Sequence, residues 1–284
     1  MLHTFWIVFM TALSNFRRDD GFPLAGNIAF SVTLSAFPFL IFLTTLAGFF
    51  GNNALAQDVV VYLLSVAPHS LVDPIAPEIR SILTVPRSDL LSLSILLTLW
   101  TASSSVHSVR TGMNRAYDMK ENRHFLLLLL TNIIFVLVGS VILLMLSLLI
   151  VIGPVVWDAA THWLPIIHGF TFWFNWLRFP IMVALLTAAL IAAHTFLPAW
   201  RHRFGDILPG IVFTLVMWLV TAVSYAEFLS RFATYASTYA SLTGVIIALM
   251  FIYLSGAVLI FGGEINQANI TRKRDRENVN VEIV

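Results

Sequence analysis

From Tyr239 to Asn266 the chain reads YASLTGVIIALMFIYLSGAVLIFGGEIN, apolar and without a charge until Glu264. A helix of that length crosses a bilayer. Five further stretches share the pattern, at about 24–50, 90–113, 125–152, 177–197 and 207–228. With the last span, at about 239–264, they predict an all-α fold: a polytopic membrane bundle of six transmembrane helices in a single integral membrane domain, 1–284.

The segments between the spans have their own patterns. Residues 2 to 13, LHTFWIVFMTAL, are too short to span and are followed by Arg17-Arg18. They read as an interfacial helix in a cytoplasmic N-terminus, 1–20, and not as a cleaved signal peptide. The stretch 51–89 is broken by Pro68, Pro74 and Pro77 and predicts two short periplasmic surface helices, at 54–66 and 75–85. Gly153-Pro154 is expected to end the third span. Trp157, Trp163, Trp173 and Trp176 then form an aromatic belt at headgroup level. A cytoplasmic tail, 267–284, closes the chain.

Within the spans, polar and small residues sort by face. In the last span Ser241, Gly244, Ala248, Ser255, Gly262 and Asn266 fall within about 60° on a helical wheel. Such a smooth seam lets a second helix approach closely. In the first span Asn27, Ser31, Ser35 and Pro38 share a side. The second span is the most polar and carries two strips: Ser94, Thr101, Ser105, Ser108 and Gly112 on one side, Ser103, His107, Arg110 and Asn114 on another.

Composition agrees with a lipid-solvated protein. Hydrophobic residues make up 58% and charged residues 11%, more apolar than soluble domains. The chain has no cysteine, which excludes disulfides, thiolate metal sites and cysteine nucleophiles. Net charge is only +1, but its placement orients the protein. Arg17, Arg18, Arg110, Arg115, Lys120, Arg123, Arg201, Arg203, Arg272, Lys273, Arg274 and Arg276 lie on one side, twelve of the sixteen basic residues. Arg80, Arg87, Arg178 and Arg231 lie on the other. By the positive-inside rule both termini are cytoplasmic.

Tyr235, Tyr239, Gly244, Tyr253 and the closing GGEIN resemble the last helix of the YihY/BrkB family of bacterial inner-membrane proteins, long mislabelled ribonuclease BN. Ser31, Ser35 and Pro38, the run Asn114-Arg115-Ala116-Tyr117, and Gly205 to Gly210 extend the resemblance over most of the chain. The resemblance implies a six-helix membrane protein, with transport of lipid or lipopolysaccharide precursors proposed for some relatives.

Several chemistries lack the residues they need. The eight histidines form neither HxH nor HExxH, so no metal site is expected. A P-loop and a GxSxG turn are absent, which argues against an ATP motor and a serine hydrolase. No enzyme activity, cofactor or nucleic-acid partner is expected, and the basic run 272–274 reads as a topology anchor. The remaining candidates are polar residues that the orientation places in the cytoplasmic half of the membrane: Asn27, His107, Arg110, Asn132, His194 and Glu264. Intramembrane polar groups face a bundle interior or a wet cavity. Arg110 and Glu264 could instead snorkel to the interface, and Asn27 and Asn132 could hold helices together.

The expectation is a protein that moves a lipid-like amphiphile between leaflets without its own ATPase, with membrane lipids as its partners. A proton-coupled exporter of a small solute and a non-transporting envelope scaffold are the alternatives. The surface helices of 51–89 read as a cover over the spans, with a docking site for a periplasmic or envelope protein as the other reading. The sequence leaves the oligomeric state open.

Overall fold

A computed structural model describes residues 2–50, 88–200, 203–232 and 240–282, and these are helical almost throughout, with no strand among them. Among these residues eight α-helices follow in order: α1 Leu2–Arg18, α2 Gly21–Phe50, α3 Ser88–Ala116, α4 Phe125–Ser147, α5 Gly153–Trp163, α6 Thr171–Phe196, α7 Phe204–Phe232 and α8 Ala240–Glu282. The predicted surface helices of 51–89 fall almost entirely outside the described residues, as do Tyr235 and Tyr239.

Among the described residues, five segments are long and apolar enough to cross a membrane: Gly21–Phe39, Phe125–Ile150, His168–Phe196, Phe204–Leu229 and Gly244–Arg276. The expected second span, α3, is a helix of 29 residues, about 43 Å at 1.5 Å per residue. It has the length of a span.

The ends of elements differ from the sequence pattern in instructive ways. Gly153-Pro154 does not end the helix. A π-helical turn, Leu148–Ile152, carries α4 into α5, with Gly153 N–H donating to Leu148 O. Pro154 then occupies the start of α5, where a missing N–H costs little. A 3-10 turn, Pro165–Phe170, leads into α6. Trp157 stacks on Phe174 at 4.4 Å and donates Nε1–H to Thr171 Oγ1, while Trp163, Trp173 and Trp176 stay exposed. The tail expected at 267–284 is helical up to Glu282, so α8 has 43 residues.

Two compact units divide the chain, with boundaries inside α1, α3, α7 and α8. The first contains 1–15, 113–215 and 261–284. Its packing includes Ala12, Ile265 and Ala268, with Val8, Phe213 and Phe261 against them. The second contains 16–112 and 216–260. There Ser31 and Ser108 hydroxyls hydrogen-bond at 2.9 Å, and Ile28 and Ile260 fill the space over Gly112. Trp218 Nε1–H donates to Ser255 O at 3.0 Å, and Tyr225 O–H donates to Ile247 O.

Candidate functional site

In the first unit, the short connection after α3 organises a polar cluster. The helix ends at Ala116 in a Schellman arrangement, with Met119 N–H on Asn114 O at 2.7 Å and Asp118 N–H on Arg115 O at 3.0 Å. Asp118 takes the left-handed conformation, φ 52°, that this motif requires and that glycine usually supplies. The sharp stop holds Asn114 and Tyr117 inward, both buried.

Asn114 works in two directions. Its Oδ1 accepts from Ala199 N–H at 2.7 Å and its Nδ2 donates to Glu121 Oε2 at 3.1 Å. Glu121 is gripped by Arg123 through both carboxylate oxygens, at 2.8 and 2.7 Å. The same guanidinium donates to the carbonyls of Phe196 and Leu197 at the end of α6, at 3.3 and 2.8 Å. It thereby satisfies carbonyls that the helix leaves without a partner. Hydrogen bonding from Arg123 holds the Glu121 carboxyl well below its usual range, at about 2.

Tyr117 makes the deeper connection. Its hydroxyl lies 2.8 Å from His194 Nδ1 and accepts from Asn266 Nδ2 at 2.9 Å. Asn266 Nδ2 also approaches His194 Nδ1, at 3.4 Å, and Asn266 Oδ1 accepts Gly210 N–H at 2.6 Å. Both His194 and Asn266 have no accessible surface. Around them the backbones of α7 and α8 touch. A Cβ on Gly210 would strike Gly262 O, and one on Gly262 would strike Thr214 Oγ1. Gly263 packs against Ala116 and Tyr117. The Asn-Arg-Ala-Tyr run, the Gly205–Gly210 stretch and GGEIN thus converge at one point.

The structure sorts the remaining predicted residues. Arg110 and Glu264 are each 1% exposed, so neither snorkels to the surface. Asn132 is buried within α4. Asn27 and His107, in contrast, are exposed. Of the seam, Gly262 is in close contact with α7, Ser255 offers its carbonyl to Trp218, and Gly244 is half-buried. Ala248 is exposed, since an alanine has no polar group that obliges burial, and the side chain of Ser241 lies outside the described residues.

In the second unit α3 buries most of both predicted polar strips and exposes the face between them. Ser94, Ser105 and Ser108 are buried on one side, and Ser103 and Arg110 on the other. The exposed face begins apolar, with Leu93, Leu96, Leu97 and Trp100, and turns polar at Ser104, His107 and Thr111. The Ser31–Ser108 and Ile28–Gly112 contacts set α2 antiparallel to α3, bringing exposed Asn27 to about the level of Thr111. Sequence reasoning named His107 and Asn27 but passed over Ser104 and Thr111. Their signal was present as polar positions three and four residues from His107.

The Virulence factor BrkB family model matches residues 12–282. The YfkH protein of Bacillus subtilis (strain 168), whose name describes it as ribonuclease-like, is 29% identical over 262 residues, covering 92% of this chain and 94% of that protein. A UPF0761 membrane protein of Pseudoalteromonas translucida (strain TAC 125) is 29% identical over 75 residues, covering 26% of this chain and 25% of its own length. No solved structure matches. With the match running through nearly the whole chain and its motif residues meeting around Asn266, the protein is an integral membrane protein belonging to the BrkB family.

Proposed function

We propose that the protein lets a lipid-like amphiphile pass between membrane leaflets without hydrolysing ATP itself, in a bacterial inner membrane and with both termini in the cytoplasm. The supporting observation is the exposed face of α3. From Leu93 to Thr111 that face runs about 27 Å, close to the thickness of the hydrocarbon core. Its half nearer the C-terminus presents Ser104, His107 and Thr111 outward, where a spanning helix should present apolar side chains. Thr111 Oγ1 is held on His107 O at 2.9 Å, which lowers the cost of its hydroxyl in an apolar setting. A headgroup moving along this face meets hydrogen-bonding groups while its tails remain in lipid.

Purified protein in liposomes with a fluorescent phospholipid tests the reading. Scrambling should exceed that of protein-free vesicles and need no imposed proton gradient. Ser104→Leu/Thr111→Leu, which makes the face apolar, should slow it about tenfold at equal reconstitution, a change of about 1.4 kcal/mol in barrier. Scrambling that required an imposed proton gradient would overturn uncoupled passage, and proton-coupled efflux of a small solute with no lipid scrambling would favour the exporter. Absence of both scrambling and efflux would favour the scaffold.

A further inference from the structure

A second feature lies wholly within the first unit and does not depend on leaflet transfer. Between α1, α7 and α8 is a pocket of about 330 Å³. Val8, Phe9, Pro209, Phe213 and Ile265 form its apolar walls, and Thr4 and Asn269 supply its polar lining. That volume is at the lower end of ligand pockets, which span about 300–1,000 Å³. It suits one alkyl chain and not a whole two-chain lipid.

The polar lining is held by a cation. Arg272, one turn beyond Ala268 on α8, donates to Thr4 O at 3.0 Å and to Thr4 Oγ1 at 3.2 Å. Lys273 follows, bound to Asp206 at 2.6 Å, and Arg274 and Arg276 are exposed beyond it. Lys273 is paired with Asp206, and Asp275 and Glu277 stand next to Arg274 and Arg276 in the chain, which leaves Arg272 as the cation at the pocket. The guanidinium has five N–H donors in a planar fork, so its two bonds to Thr4 leave donors that suit a phosphate. The outer face of α1 is apolar and exposed at Trp6, Ile7 and Met10, the pattern of a helix seated at the boundary of headgroups and acyl chains.

We infer that this pocket binds one anionic phospholipid, with an acyl chain between Val8, Phe213 and Ile265 and the phosphate at Arg272. Apolar walls alone would take any chain. Arg272 selects the headgroup, and α1 gives the ligand access from within the leaflet.

Native mass spectrometry of the full chain in detergent, titrated with phosphatidylglycerol or phosphatidylcholine, tests the assignment. The wild type should retain one phosphatidylglycerol with about tenfold preference over phosphatidylcholine. Arg272→Gln should abolish the preference, and Val8→Trp should reduce binding of both lipids. Equal retention in the wild type, or a preference that survives both substitutions, would overturn the proposal. So would displacement of the lipid by inorganic phosphate alone, or a mass series showing that a second copy of the chain covers the site. A photoactivatable phosphatidylglycerol added to wild-type protein gives a readout that does not depend on how the variants fold. Its crosslinks should fall within 4–9, 209–213 and 265–272, and labelling confined to other segments would rule the pocket out.

Discussion

Gly210 on α7 and Gly262 on α8 stand face to face in the first unit, each placed where a side chain would run into the other's carbonyl oxygen. Alanine at either position must push two backbones apart, not merely fill a gap. Either Gly→Ala substitution should cost about 1–3 kcal/mol or more. Gly205, on the same helix with open space around its Cα, is the control, and Gly205→Ala should change stability by no more than about 1 kcal/mol. Melting in detergent, followed by size-exclusion chromatography, measures the contrast. Equal melting of all three variants would remove close packing as the reason for these glycines.

Tyr117, His194 and Asn266 should behave as one coupled group. Tyr117→Phe removes the hydroxyl between His194 and Asn266, and Asn266→Ala removes both that donor and the acceptor for Gly210 N–H. Each change should destabilise by about 1–3 kcal/mol, because buried partners lose their bonds. The double variant should cost less than the sum, with a coupling of about 0.5–3 kcal/mol. Strict additivity in denaturation would show that the three groups act independently.

Glu121 gives a pH signature. Its carboxyl falls from an ordinary value of 4.5 to about 2 beside Arg123. A depressed value means that the charged form is favoured by folding, so this contribution is complete above 4.5 and is lost as pH falls towards 2. Glu121→Gln should therefore melt earlier than wild type at pH 7. The gap should narrow as pH drops through 4.5 and close near 2. A gap independent of pH would assign the effect to shape instead of charge.

The absence of cysteine allows a direct topology test. Single cysteines replacing Gln57 and Asn280 should differ in intact cells: an impermeant maleimide should label the first and leave the second until the membrane is opened. This follows from the asymmetry of Lys and Arg along the chain. Labelling of Asn280→Cys in intact cells would invert the orientation.

The helices themselves were legible from apolar runs, and their bounds shifted mainly where backbone geometry decides. Pro154 illustrates the limit. Proline is a stop signal in isolation, but a π turn just before it lets the helical path continue. Polarity was a partial guide to burial: His194 is buried as expected, Arg110 and Glu264 are buried although their positions allowed snorkelling, Asn27 and His107 are exposed, and so is Ala248, where size was the only clue. The bonds among Tyr117, His194 and Asn266 join residues 72 to 149 apart in the chain, and no local pattern encodes such a distance. Glu121 and Arg123 stand two residues apart and could have been paired from sequence. Their use as a clamp on α6 could not.

The length of α8 has a mechanical consequence. Within the first unit α8 runs unbroken from Gly262 to Glu282, about 30 Å at 1.5 Å per residue. A rod held at one end is a lever: a tilt of about 10° at Gly262 would sweep its far end through about 5 Å. A fluorophore on the last turn of α8 would therefore magnify angular changes too small to register as a shift at Gly262.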